Sequence, residues 1–107
     1  MLVQFKHKNE KSFTNITKDK VYHVVEIQEN YIRIINDVLE PILIPSDFLL
    51  VVDGNIDGWV VDISDYGEIF LMPKIFSYNN FFFEDLFDND KEAKTIWINY
   101  LSNLSIS

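Results

Sequence analysis

A chain of 107 residues is the size of one domain and long enough to bury a single core. Hydrophobic residues make up 48% of it and aromatics 15%, too much apolar area for a disordered chain. Nine basic side chains against seventeen acidic ones leave a net charge of −8, a field that repels nucleic-acid phosphates and anionic membranes and attracts basic partners.

The charge is uneven. Residues 1–53 balance at −2 and residues 54–107 at −6, so the C-terminal half carries the field. There is no cysteine, which removes disulfides, thiolate nucleophiles and zinc–thiolate sites. The N-terminal MLVQFKHKNE lacks the order of a signal peptide. The longest apolar run, Phe48–Val52, is five residues, far from a bilayer span. A cytoplasmic protein is expected.

In chain order, LVQFK (2–6) forms a first strand, and the polar stretch to Lys20 loops over a surface with Phe13 and Ile16 tucked inward. VYHVVEI (21–27) alternates with period 2, placing Tyr22 and Val24 on one face and Val21, His23, Val25 and Ile27 on the other. Gln28-Glu29-Asn30 is a turn, with Asn30 suited to positive φ. YIRII (31–35) is a second regular strand with Ile32 and Ile34 on one face, and Asn36-Asp37 the next turn. EPILIP is a third, bounded by Pro41 and Pro45, which cannot donate to a ladder and belong at strand ends or on an edge. A 3₁₀ turn at Pro-Ser-Asp-Phe leads into LLVVD. Short strands at this spacing have the economy of a small antiparallel barrel.

The glycine-containing segment at 53–58 marks a seam. Beyond it GWVVDIS and EIFLM make a hairpin around Asp65-Tyr66-Gly67, with Trp59, Val61 and Ile63 on one face and Val60, Asp62 and Ser64 on the other. KIFSYNN is loop, and Phe81–Phe87 a short helical turn. From Lys91 the residues Ala93, Ile96, Trp97, Tyr100, Leu101 and Leu104 fall at spacings of three and four, one stripe of an amphipathic helix. Asp88 or Asp90 caps its start, and Glu92 suits the helix dipole. The whole is one domain, 1–107, with barrel-like strands over 1–53 and a hairpin plus C-terminal helix over 54–107.

Motifs for chemistry are absent. The two histidines, His7 and His23, have no nucleophile beside them in sequence, so no catalytic residue is expected. The acids at 53–57 and 85–90 do not match a calcium-loop pattern, so no metal and no cofactor is expected either. What stands out is FFFEDLFDNDKE: Glu84, Asp85, Asp88, Asp90 and Glu92 fall within nine residues, with Lys91 the only base. Phe81–Phe83 and Phe87 anchor the helix start in a core. One or two acids suffice to cap a helix, and five repel one another unless a cationic partner offsets them. Glu84, Asp85 and Asp88 are therefore candidate binding residues, with Asp62, Asp65 and Glu68 of the hairpin extending the same surface.

Two resemblances bear on the fold and on the binding surface. Lys20-Val-Tyr22-x-Val24, Tyr31-x-Arg33-Ile, Asn36-Asp37 and Leu43-Ile-Pro45-x-x-x-Phe48, ending Val51-Val-Asp53, resembles small bacterial and phage SH3-like barrels, with Asp19 and Ile44 standing where those show glycine and an aromatic. That resemblance implies a barrel for the N-terminal half; with the periodic helix that follows, the fold expected is α+β, a small antiparallel SH3-like barrel or strongly twisted sheet with the C-terminal amphipathic helix packed on it. The segment Phe81-Phe-Phe-Glu-Asp-Leu-Phe-Asp, leading into a helix, resembles small acidic immunity proteins of bacterial polymorphic and contact-dependent inhibition toxin systems. That resemblance implies a non-enzymatic partner of a cognate toxin with a basic surface, often a nuclease, neutralised by occlusion. The alternative is an SH3-like interaction module, such as a phage accessory protein, with an aromatic groove at Tyr22, Tyr31 or Trp59.

Overall fold

The structure, a computed structural model, describes residues 1–6, 13, 15–17, 19–79 and 81–104. The fold is α+β, and the chain divides into two compact units, Met1–Pro73 and Lys74–Ser107.

The first unit is an antiparallel sheet of seven strands: β1 (Leu2–Phe5), β2 (Tyr22–Ile27), β3 (Tyr31–Ile35), β4 (Pro41–Pro45), β5 (Leu49–Asp53), β6 (Trp59–Ile63) and β7 (Ile69–Pro73), with a 3₁₀ turn at Ser46–Phe48 before β5. Five strands run in the order β4-β3-β2-β1-β5, and β7 joins the end of β2 through Ile27 and Leu71, carrying β6 on its far side. Of the two arrangements expected, closed barrel and open sheet, the open one is found, because β4 and β5 do not pair with each other. The division of the chain falls at Pro73 and not at 53–58: the hairpin hydrogen-bonds to β2 and belongs with the sheet. At 53–57 successive Asx turns hold the loop, Asp53 Oδ1 accepting from Asn55 N–H and Asn55 Oδ1 from Asp57 N–H, both at 2.9 Å.

The sheet core gathers Val3, Tyr22, Val24, Ile32, Ile34, Ile44 and Leu49, with Phe13, Ile16 and Ile27 packed against it. Phe13 and Ile16 thus point inward as their sequence context implies. Ile27 does not obey simple alternation. The β2–β3 register slips between Val24 and Glu26, so Val24 faces Ile34 while Ile27 faces Ile32. A bulge adds one residue to one strand and turns the residues after it to the opposite face. Ile27 therefore joins Val24 on the core side, and Glu26 lands opposite Arg33, whose Nε donates to its Oε1 at 3.0 Å. Gln28 Nε2 donates to the same oxygen at 3.0 Å, so the buried carboxylate is served twice.

Asp37, a turn residue in sequence, is a long-range tie. Its carboxylate accepts from Thr17 Oγ1 at 2.6 Å, Lys20 Nζ at 2.7 Å and the Tyr22 hydroxyl at 3.0 Å. Burial alone would raise its pKa, but the hydrogen bonds from Lys20, Thr17 and Tyr22 outweigh it and hold the carboxyl below its usual value. Asp19, standing where the SH3-like pattern has glycine, adopts φ +63°, the left-handed conformation glycine would supply. Asn30 does not take positive φ. In the hairpin turn it is Gly67 that does, at φ +81°.

The second unit begins with a 3₁₀ turn, Lys74–Phe76, and continues through α1 (Phe82–Phe87) and α2 (Lys91–Leu104). Phe76, in a segment expected to be plain loop, is the hub of its core. Its ring lies 4.8 Å from Phe82, 5.5 Å from Phe83, 5.8 Å from Trp97 and 4.7 Å from Tyr100, centroid to centroid. The stripe on α2 is the one its spacing implies: Ala93, Trp97 and Leu101 are buried, Ile96, Tyr100 and Leu104 half-buried, and Lys94, Thr95, Asn99, Ser102 and Asn103 exposed. No described helix is long and apolar enough to cross a membrane.

Candidate functional site

The acidic-aromatic segment is built around α1. Asn79 opens it: its Oδ1 accepts from Phe81 N–H at 2.9 Å and its Nδ2 donates to Asp85 Oδ2 at 2.7 Å. The side chain thus serves a backbone donor at the helix entrance and holds one of the acids there. Asp90 is the cap of α2, its Oδ2 accepting from Ala93 N–H at 3.0 Å, and between the helices Asn89 reverses the chain at φ +66°. Two of the acids therefore have structural employment, Asp85 and Asp90.

Glu84 and Asp88 have none. Both are exposed, and neither side chain makes a hydrogen bond or ion pair among the described residues. The phenylalanines divide in the same way. Phe82 and Phe83 are buried against Phe76, as anchors should be, but Phe81 is 65% exposed and Phe87 87% exposed. A ring so largely left in water contributes little to the fold. Phe87 sits three residues after Glu84 and directly before Asp88, so an apolar anchor and two free carboxylates occupy one short surface.

The hairpin acids belong to the sheet unit. Asp62 pairs across the ladder with Phe70, and Ser64 N–H donates to the Glu68 carbonyl at 2.9 Å, so Asp62 and Glu68 are diagonal neighbours on one face. Asp65 is exposed at the turn, and Ser64 Oγ accepts from the N–H groups of Tyr66 and Glu68.

The aromatic groove of the alternative reading loses two of its three candidates. Tyr22 is 2% exposed and its hydroxyl is committed to Asp37, while Trp59 packs on the sheet core; of the three, only Tyr31 is open to solvent. His23 makes no hydrogen bond or ion pair with any described carboxylate, and His7 lies outside the described residues. No cluster of three histidine, aspartate or glutamate side chains among the described residues is arranged to hold a metal ion. No protein-family model matches the chain, and neither a curated protein nor a solved structure matches it.

The aromatic-acidic composition of the segment is legible in the sequence; its division of labour is not. Which acids are free depends on Asn79 and Asp90 bonding in three dimensions, and no spacing rule separates Asp85 from Asp88.

Proposed function

We propose that this chain is a non-catalytic binding protein that neutralises a basic partner, as an immunity protein does with a cognate toxin in the cytoplasm. The observation that carries the reading is Phe87, presented to solvent between Glu84 and Asp88, two carboxylates with no partner of their own among the described residues. An exposed aromatic ringed by charge is the usual form of an interface anchor: the ring supplies most of the affinity once desolvated, and the charges select a cationic surface and speed encounter. The −6 balance of residues 54–107 adds a negative charge that attracts a basic partner, and Asp62, Asp65 and Glu68 contribute to it from the sheet unit. Lysines and arginines that grip a phosphate backbone in a nuclease would be occupied by Glu84 and Asp88.

The test is co-expression with the product of the gene directly upstream, scoring complex formation and growth. Reversing Glu84 and Asp88 to lysine together, with Phe87→Ala as a separate variant, should abolish rescue while far-UV circular dichroism stays unchanged. Asp85 is better left alone, because its bond to Asn79 would confound the result. Undiminished rescue by both variants refutes the surface; absence of any complex with the neighbouring product refutes the toxin.

A further inference from the structure

The strand β6 has an open edge of unusual composition. Because Ser64 N–H bonds to the Glu68 carbonyl at 2.9 Å, alternation along the antiparallel ladder gives Asp62 and Val60 the bonds to β7. The N–H and C=O groups of Val61 and Ile63 therefore point away from β7, and β6 has no second neighbour among the described residues. The same two residues expose their side chains, Val61 by 60% and Ile63 by 63%, beside Ile69, which faces Ile63 across the ladder and is also exposed. On the opposite face lie Asp62, half-buried beside Val60, Phe70 and the buried Met72, and Glu68, exposed near the turn. Residues 54–73 hold four acids and no lysine or arginine.

Other edges of the sheet do not have this character. The outward positions of β4 are Pro41, Leu43 and Pro45, by the same alternation from the 2.9 Å bond of Asn36 N–H to Glu40, and prolines blunt an edge. β5 leaves Leu50, Val51 and Val52 exposed on both faces, with no charge alternating among them to define a partner. Of these edges, β6 alone combines outward backbone groups, exposed aliphatic side chains and carboxylates within one strand of them.

We propose that β6 receives an extended, basic segment of another protein as an added strand, with aliphatic side chains of that segment against Val61 and Ile63 and its lysines or arginines over Asp62. Main-chain bonds at Val61 and Ile63 give the attachment, and the period-2 alternation of apolar and basic residues gives the selectivity. A second copy of this chain is disfavoured as occupant, since the antiparallel register that uses both Val61 and Ile63 of each strand would bring Asp62 against Asp62. Strand addition at β6 is independent of the Phe87 surface and holds whether or not the partner is a toxin.

The probe is a blocked octapeptide of alternating lysine and valine, titrated into the full chain and monitored by amide NMR. Shifts centred on residues 59–63 are expected. The peptide with the same residues in two blocks, and the analogue with glutamate for lysine, should bind about tenfold more weakly or not at all. Val61→Pro removes an outward N–H without touching the β6–β7 ladder, and should weaken the alternating peptide about tenfold while Glu84→Lys/Asp88→Lys leaves it unchanged. Should Val61→Pro fail to fold, Asp62→Lys serves instead, rejecting the lysine peptide and accepting the glutamate one. Equal binding of the blocked-order peptide, shifts elsewhere, no binding, or self-association lost in Val61→Pro by sedimentation would each overturn the proposal.

Discussion

The hydroxyl of Tyr22 donates to Asp37 Oδ1 across 3.0 Å while accepting the backbone N–H of Thr17, so one buried ring joins three stretches of chain. Lys20 adds a second, charge-assisted bond to the same carboxylate. The cluster ties residues 15 to 20 apart in sequence and holds the segment before β2 against the β3–β4 turn.

Removing this tie has a defined cost and a defined pH dependence. Asp37→Asn should destabilise by about 1–2 kcal/mol, since a half-exposed lysine contributes little but the bonds to a charged acceptor contribute more. Asp37 has a folded pKa below its ordinary 3.8, so its contribution is present above that value and lost as pH falls through the lower one. Thermal melts of the wild type and Asp37→Asn should differ at pH 7 and converge in strong acid; a constant gap contradicts the assignment.

His23 should act in a higher window. Burial first, and the N-terminal ammonium second, hold its pKa below 6.5, so the fold favours the neutral ring. That contribution is present above 6.5 and is lost as pH falls toward the folded value. The difference in melting temperature between wild type and His23→Gln should change between pH 7 and 5; parallel curves for the two proteins would exclude it.

Phe76→Ala should destabilise by about 3–5 kcal/mol, as truncation of a buried aromatic does, and Trp97→Ala similarly. Both leave the sheet core cluster untouched in composition. The loss should appear in near-UV circular dichroism and in the melting midpoint, and an unchanged midpoint for either would show that the ring cluster does not hold α1 to α2.

Phe87→Ser should do the reverse. At 87% exposure the ring contributes little to folding, so stability should stay within about 0.5 kcal/mol. Affinity for a basic protein partner should fall by about 2 kcal/mol if the ring is an anchor. Calorimetry of the complex beside a melt of the free protein separates the two effects.

Local pattern carried the strands and the α2 stripe because each rests on a period visible within a dozen residues. The face of Ile27 was not legible: a bulge between Val24 and Glu26 has no signature in VYHVVEI, and it reverses everything after it. Phe76 was missed for a related reason, being one apolar residue in an aperiodic stretch whose burial comes from Phe82, Phe83, Trp97 and Tyr100 further along. In the candidate site, the aromatic-acidic composition was plain, but Phe83 and Phe87 lie four apart on one short helix and meet opposite fates. Helix spacing places them on a common face; only the end of α1 at Phe87 puts the second beyond the core.

The ring partners of Phe76 and the members of the sheet cluster do not overlap. Substitutions at Phe81, Glu84, Phe87 and Asp88 touch neither set. Those four positions are thus free to drift with little penalty to folding, and under the proposed function a partner that changes its own surface could be matched by recoding them alone. On that reading the acidic end of α1 would be a replaceable key on a retained handle.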